Sequence, residues 1–361
     1  MNIRYMPVIL ATMTSATALA EPSQLALYGR VDLGVHYDSI DSGTFKMSPT
    51  LSTSRFGLKG TEDLGNGLSA GFQLESGFSA ADGRTYGFTS GRLFDRVAKI
   101  GVEGNFGSLY LGRQVGPFGD AYGLYDLLSV TGSSPTDILP LRMDNSAYYS
   151  NKWRMGEGEI GAGLAYALGG APGNFSAGSQ KELGLSYHRD NLDLTVAVNR
   201  STQMSVSAPK SGSYSNFDEK TLNEDHFTAG GAYAIGPVKV ALGYALKQVD
   251  PANAMAMPLG KYKHHMFFSN LVYTATPKLN FTFSYYHHQL NAASTRSATV
   301  PSNGKADLFA LLADYQLSKR TDVYAEYDYS HTGKGDGLQA FYANAAENKR
   351  SGLSVGIRHR F

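Results

Sequence analysis

The sequence predicts an all-β fold: a single antiparallel up-and-down barrel of sixteen strands that crosses a membrane. Three observations carry that prediction. Short segments alternate apolar and polar residues with a period of two along the whole chain. Tight turns and long connections take turns between those segments, the pattern of a barrel with turns at one end and loops at the other. The chain also stops inside such a segment, residues 351–361 (SGLSVGIRHRF), with Leu353, Val355 and Ile357 on one face and Ser354, Arg358 and Arg360 on the other. A strand ending there leaves an open sheet edge unless it pairs, most simply with the first strand.

The first twenty residues stand apart. Arg4 gives a positive start, residues 5–13 are largely apolar, and Ala18-Leu19-Ala20 is a small-residue cleavage signal, so residues 1–20 read as a signal peptide with a mature start near Glu21. The rest, 21–361, has no Pro- or Ser-rich linker and no charge run to divide it, and reads as one large β domain. Cysteine is absent and the formal net charge is +1, which removes disulfides and cysteine metal sites and gives no case for nucleic acid as a partner. The aromatic content, 23 Tyr and 18 Phe against 1 Trp, with 41 Gly, suits rings at a lipid boundary and strands that bend around a closed sheet. No stretch after residue 20 reaches the roughly 20 apolar residues a membrane helix needs, so a membrane crossing is made by strands.

In order, strands are expected at 24–38, 54–60, 68–78, 94–104, 108–114, 143–153, 159–166, 181–189, 192–200, 226–235, 238–249, 263–275, 278–289, 307–317, 322–331 and 351–361, with a polar loop between the first two. Turns such as EDLGNG (62–67) and Asp190-Asn191 are short, and segments such as 115–142, 201–225 and 332–350 are long. Alternation alone does not separate a barrel from a soluble sandwich. The polar face does: on the first four strands parity places Arg30, Asp32, Arg55, Lys59, Glu75, Lys99 and Glu103 on one side. A dry core excludes such a ladder, whereas a water-filled lumen accepts it, and sixteen strands close around an aqueous channel.

Five stretches then resemble one family: LYGRVDLGV (27–35), SRFGLKGTEDLGNGLSAGFQLESGF (54–78), RVAKIGVEGNFGSLYLGRQ (96–114), RMDNSAYYS (142–150) and the terminal GIRHRF. Together they resemble the trimeric general-diffusion porins of Gram-negative outer membranes, β-proteobacterial type, from end to end of the chain. The resemblance implies a homotrimer of sixteen-stranded barrels in the outer membrane, a third loop folded into the lumen, and passage of small hydrophilic solutes and inorganic ions. It also lends Phe361 a role as the terminal aromatic read by barrel-assembly machinery. The third loop is 115–142, long enough that a functional role is expected. Its acids Asp120, Asp126 and Asp137 would face basic wall residues across a constriction and set a transverse field. Arg30 and Arg55 match the family's basic wall; Lys59, Lys99 and Glu75 join them by alternation, and Arg142 closes the loop. The parity of Arg113 with Leu109 and Leu111 points outward unless the strand bends there.

Other signals are weaker. Gly156-Glu157-Gly158-Glu159-Ile160-Gly161 matches a dinucleotide pattern but precedes a strand, with no helix to hold a pyrophosphate. No G-x-S-x-G elbow is present, so an outer-membrane barrel hydrolase and an adhesion or receptor barrel stand behind the channel, and no catalytic residue, cofactor or metal is expected. Counting from the turn near Thr276, His264 should oppose His288 on the inner face and His265 should oppose His287 on the outer face. These four histidines are candidates for a metal or pH response, with rim residues as the plainer reading.

Overall fold

The computed structural model describes residues 24–40, 43–48, 51–86, 91–124, 139–170, 173–205, 221–251, 261–292, 303–334, 338 and 347–361. The strands are β1 (Gln24–Asp38), β2 (Thr44–Ser48), β3 (Ser54–Gly65), β4 (Leu68–Phe78), β5 (Val97–Gly104) and β6 (Gly107–Val115), followed by a short helix, α1 (Pro117–Gly123). After it come β7 (Arg142–Met155), β8 (Gly158–Ala167), β9 (Gln180–Arg189), β10 (Leu192–Ser205), β11 (Thr221–Ile235) and β12 (Val238–Pro251). The barrel is completed by β13 (Tyr262–Thr276), β14 (Leu279–Ala292), β15 (Gly304–Gln316), β16 (Thr321–Thr332) and β17 (Lys349–Arg360).

From β3 on, each strand pairs antiparallel with the next, and β17 returns to β1 with Val31 opposite His359 and Val35 opposite Val355. The closure expected from the chain's ending is therefore real. It is sealed at its tip: the Gly29 N–H donates to the Phe361 carbonyl at 3.0 Å and the Phe361 N–H to the Gly29 carbonyl at 3.1 Å. A Cβ at Gly29 would lie 2.6 Å from the Phe361 ring, so glycine lets the terminal aromatic lie across the first strand.

The polar loop expected after the first strand is corrected: it contains β2. Strand β3 pairs with β1 through residues 24–30 and β2 with β1 through 34–38, so the two share one wall position and seventeen strands fill sixteen places. Strands β10 and β11 also reach Ser205 and Thr221, further into the long connection than alternation indicates, because their ladder continues past a register shift after Ser201.

The barrel's surface is inverted relative to a soluble protein. Leu25, Leu27, Leu242, Leu311 and Val355 are exposed on the outer face, Leu25 by 67%, whereas Asp32, Glu182, Glu326 and Asp328 are buried on the inner one. Outward aromatic pairs Tyr37–Phe45, Tyr244–Phe267 and Tyr285–Phe309, each with centroids 4.9 Å apart, sit toward the long-connection end. Tyr233, Tyr273, Phe281, Tyr315 and Phe361 are exposed near the short-turn end, with an aliphatic band between. Two aromatic girdles around an apolar band are the signature of a barrel in lipid, where every backbone N–H and C=O must be satisfied within the sheet.

Val355 lies mid-strand in that band. Val355→Arg is expected to destabilise the barrel by about 2–4 kcal/mol, read as a lowered urea midpoint for folding into lipid vesicles.

Candidate functional site: the lumen wall and the third loop

The inner wall is divided by chemistry. On β10–β15 an apolar patch lies among inward polar residues such as Asn199, His226, Lys247 and His264: Ala197, Ala232, Ala241, Ala245, Met266, Phe268, Tyr286 and Leu308 form one buried cluster with Phe118, Ala121 and Tyr122 of α1. An apolar patch inside a wet lumen is costly unless covered, and α1 packs over its β10 and β11 side. The Phe118 ring meets the His226 imidazole edge-on at 5.8 Å, and Tyr122 meets Phe268 the same way at 5.7 Å.

Polar contacts fasten the same helix. Glu182 on β9 accepts the Phe118 N–H at 2.9 Å through Oε2 and Asn199 Nδ2 at 2.8 Å through Oε1. A Cβ at Gly116 would lie 2.2 Å from that carboxylate, so a side chain there would push Glu182 off the Phe118 amide. The Tyr148 hydroxyl donates to Asp120 Oδ2 at 2.7 Å. Asp120 is exposed to the lumen, yet the protein atoms crowded around it inside the barrel thin its water and raise its carboxyl above its ordinary range, opposed by the Tyr148 hydroxyl and the Lys99 ammonium. Below the helix lies a cavity of about 850 Å³ bordered by Glu103, Asp120, Tyr148, Lys152 and Tyr187.

The remaining wall carries further charges in cross-strand rows. Arg360, Arg30 and Arg55 lie side by side on β17, β1 and β3. The next row toward the short turns holds Tyr28, Gly57 and Glu75, and the one beyond it Lys59, Gln73 and Lys99. The parity reading of Arg30, Arg55, Lys59, Glu75 and Lys99 thus matches the structure. Their states differ. Glu75 accepts Arg96 Nε at 2.6 Å and the Tyr28 hydroxyl at 3.0 Å. Lys59 lies over the Tyr28 ring at 5.6 Å and Lys99 over the Tyr110 ring at 4.2 Å. Arg360 pairs with Asp322 at 2.6 Å. Arg30, Arg55 and Arg142 form no ion pair with a described residue, and the charges bearing most on Arg30 are those of Arg55, Arg358, Arg360 and Arg96. Asp126 and Asp137 lie outside the described residues.

Alternation alone missed several residues here. Arg113 does not point outward: Gly112 has φ +120° and the ladder shifts register between Gly112 and Gln114, which turns Arg113 onto Asp144, with its Nε donating to the Asp95 carbonyl at 2.6 Å. Arg92 shares Asp144 at 2.7 Å. Arg96 precedes β5 and carried no signal beyond its place in a family-like stretch.

The histidine register is corrected by two residues. The turn lies at Pro277-Lys278, with Thr276 opposite Leu279, and a bulge intervenes at Ala275, so His264 faces Leu290 and His288 faces Met266. The inner pair still meets diagonally, His264 Nε2 lying 3.1 Å from His288 Nδ1. The outer pair does not form: His265 contacts the Tyr244 hydroxyl at 2.8 Å and His287 contacts Asp307 at 2.8 Å.

A closed sixteen-position barrel, apolar outside and charged inside, with a helix fastened to its inner wall, defines an outer-membrane channel. The chain belongs to the Gram-negative porin family, whose model matches residues 8–335. It is 28% identical over 378 residues to outer membrane porin protein 32 of Delftia acidovorans, covering 98% of this chain and 99% of that one. It is 28% identical over 399 residues to an outer membrane porin protein of Bordetella pertussis, covering 96% of each. Among solved structures it is similar to the anion-selective porin from Comamonas acidovorans, with a TM-score of 0.76 at 26% identity, covering 94% of this chain and 100% of that one. The protein is an outer-membrane porin, a water-filled channel through the outer membrane.

Glu182→Ala leaves two buried donors without an acceptor, a loss of about 1–3 kcal/mol. The Phe118 amide is expected to lose hydrogen-exchange protection while amides of β9 and β10 keep theirs.

Proposed function

We propose that this porin passes small hydrophilic solutes and ions by diffusion with a weak preference for anions, and that Arg30, Arg55 and Arg142 supply that preference. The observation behind this reading is that Arg30 and Arg55 lie side by side and that these two and Arg142 form no ion pair with a described acid, the nearby Glu75 being engaged by Arg96. Like charges held together weaken a fold, so their retention in a lumen points to work on permeant ions. The solved structure at 26% identity is itself described as anion-selective, which supports the same reading.

In this mechanism the third loop, residues 115–142, narrows the lumen, and Asp120 opposes the basic wall through Lys99, whose charge bears on it. Acids on the loop and bases on the wall give a transverse field that sorts solutes by charge and dipole. Glu75 acts by holding Arg96, and Lys59 and Lys99 extend the basic wall toward the periplasmic turns. Asp126 and Asp137 belong to the same loop and add to its acidic side. No covalent chemistry is needed, so the protein works as a channel and not as an enzyme. Residues 1–20 are removed on export, three copies assemble in the outer-membrane lipid, and Phe361 presents the end of the chain to the assembly machinery.

Planar bilayers test this reading. Wild-type protein is expected to insert with current steps in triplets and a reversal potential of anionic sign in a salt gradient. Arg30→Ala and Arg55→Ala are each expected to move that potential toward cations; an unchanged potential removes these residues from the filter.

Acidification gives a second test. Because the Asp120 carboxyl is raised, it takes up its proton earlier than a free aspartate as pH falls, and the lumen loses one negative charge. Anion preference is expected to grow on mild acidification, and Asp120→Asn to flatten that growth; an equal pH response in the variant assigns it elsewhere.

A further inference from the structure

The wall is interrupted between β2 and β3. Strand β3 follows β1 only as far as Arg30 and β2 takes over at Gly34, so residues 31–33 face no described strand on that side. The Ser54 hydroxyl fills the gap for the backbone, accepting the Asp32 N–H at 2.9 Å and donating to the Asp32 carbonyl at 3.0 Å. The chain entering β3 turns to the inner side. Leu51 is 4% exposed and joins a buried cluster with Ala310, Leu312 and Tyr324, inward-facing residues of β15 and β16. To reach them it passes the inner faces of β1 and β17, which separate β3 from β16 around the wall.

Asp32 holds this crossing. Its Oδ2 accepts the Ser52 N–H at 2.7 Å and the Ser52 hydroxyl at 3.0 Å, and its Oδ1 accepts the Tyr324 hydroxyl at 2.5 Å. Asp32 is 0% exposed. A carboxylate so buried persists only with its lone pairs engaged, and these donors belong either to the crossing segment or to the wall it reaches.

We propose that residues 51–54 form an arch inside the lumen, a second constriction element besides the third loop, and that Asp32 is its positioning residue. A plain repair of a strand break would bring the chain back to its own seam, whereas Leu51 is anchored on β15 and β16. The arch ends beside the arginine row: Arg55 follows Ser54, Arg30 faces Arg55, and Arg358 is the cross-strand partner of Asp32. The wall it leans on is held by ion pairs. There, Arg350 is tied to Asp38 at 2.9 Å and to Asp328 at 2.6 Å, and Arg358 to Asp322 at 2.8 Å, all of them withdrawn from solvent. Solutes are left the space between the arch and the Arg30 and Arg55 side chains on one hand and α1 on the other. The arch thereby sets the size limit for neutral sugars and for anions that pass the arginines.

This rests on the channel reading, and the test keeps the two apart. Wild-type, Asp32→Asn and Leu51→Ala proteins are purified in full length, checked for the folded barrel by heat-dependent gel mobility, and placed in planar bilayers and in swelling vesicles with neutral mono- and disaccharides. Both variants are expected to raise single-channel conductance, on the order of 1.5-fold because current follows the narrowest cross-section. They are also expected to speed disaccharide entry more than monosaccharide entry, with the sign of the reversal potential kept because the arginines remain. Folded variants with wild-type conductance and disaccharide rates overturn the arch. Should Asp32→Asn fail to fold, Leu51→Ala decides alone, since it removes the apolar anchor without touching the carboxylate. A wild-type protein that carries no current overturns the channel reading itself.

Discussion

The seam between β1 and β17 is the constraint on which the rest of the structure depends. In hydrocarbon an unpaired backbone N–H or C=O has no water to turn to, so a sheet crosses a membrane only if its two edges meet. Nine residue pairs from Arg30–Arg360 to Asp38–Gly352 meet them here. Phe361 bonds back to Gly29, so the ladder has no loose end on that strand. Once the edges are joined every strand has one face toward lipid and one toward the lumen, and the inverted surface follows from the pleat.

Closure also creates an interior that must be partitioned. An apolar patch on β10–β15 gives α1 its seat, while the rows of β17, β1, β3, β4 and β5 carry a ladder of charges. Among the charged residues, pairing separates two sets of arginines. Arg350, Arg358 and Arg360 are consumed by Asp38, Asp328, Asp314 and Asp322, pairs that knit β15, β16 and β17 to the first strand. Arg30, Arg55 and Arg142 have no such partner among the described residues. An arginine whose charge is spent on a neighbouring carboxylate offers little to a passing ion, so the pairing pattern, more than the number of bases, shapes the field of the pore.

Much of this was legible in the chain. The run from Gln24 to Asp38 and the run from Ser351 to Phe361 announced their two faces, and the placement of Arg30, Asp32, Arg55, Lys59, Glu75 and Lys99 on one side followed from a period of two. The departures all occur where the period is broken. Gly112, with φ +120°, reverses Arg113; the bulge after Thr274 and the position of the turn shift His264 away from a direct meeting with His288; and the break between Ser48 and Ser54 hides a short strand in what reads as a polar loop. A bulge moves one residue, and one residue flips a side chain to the other face.

The sequence by itself determined that the chain is a closed membrane barrel, where sixteen of its strands lie to within a few residues and which face is wet wherever the period of two is unbroken, because these follow from alternation and from the cost of an open edge. Only the tertiary structure decided which charges neutralise one another, where α1 is fastened by Glu182 and Tyr148, and that Leu51 and Ser52 turn inward onto Asp32 and Tyr324. Those contacts join residues tens to hundreds of positions apart. The periodicity of a single strand reports which way a side chain points, and not what it meets across the lumen.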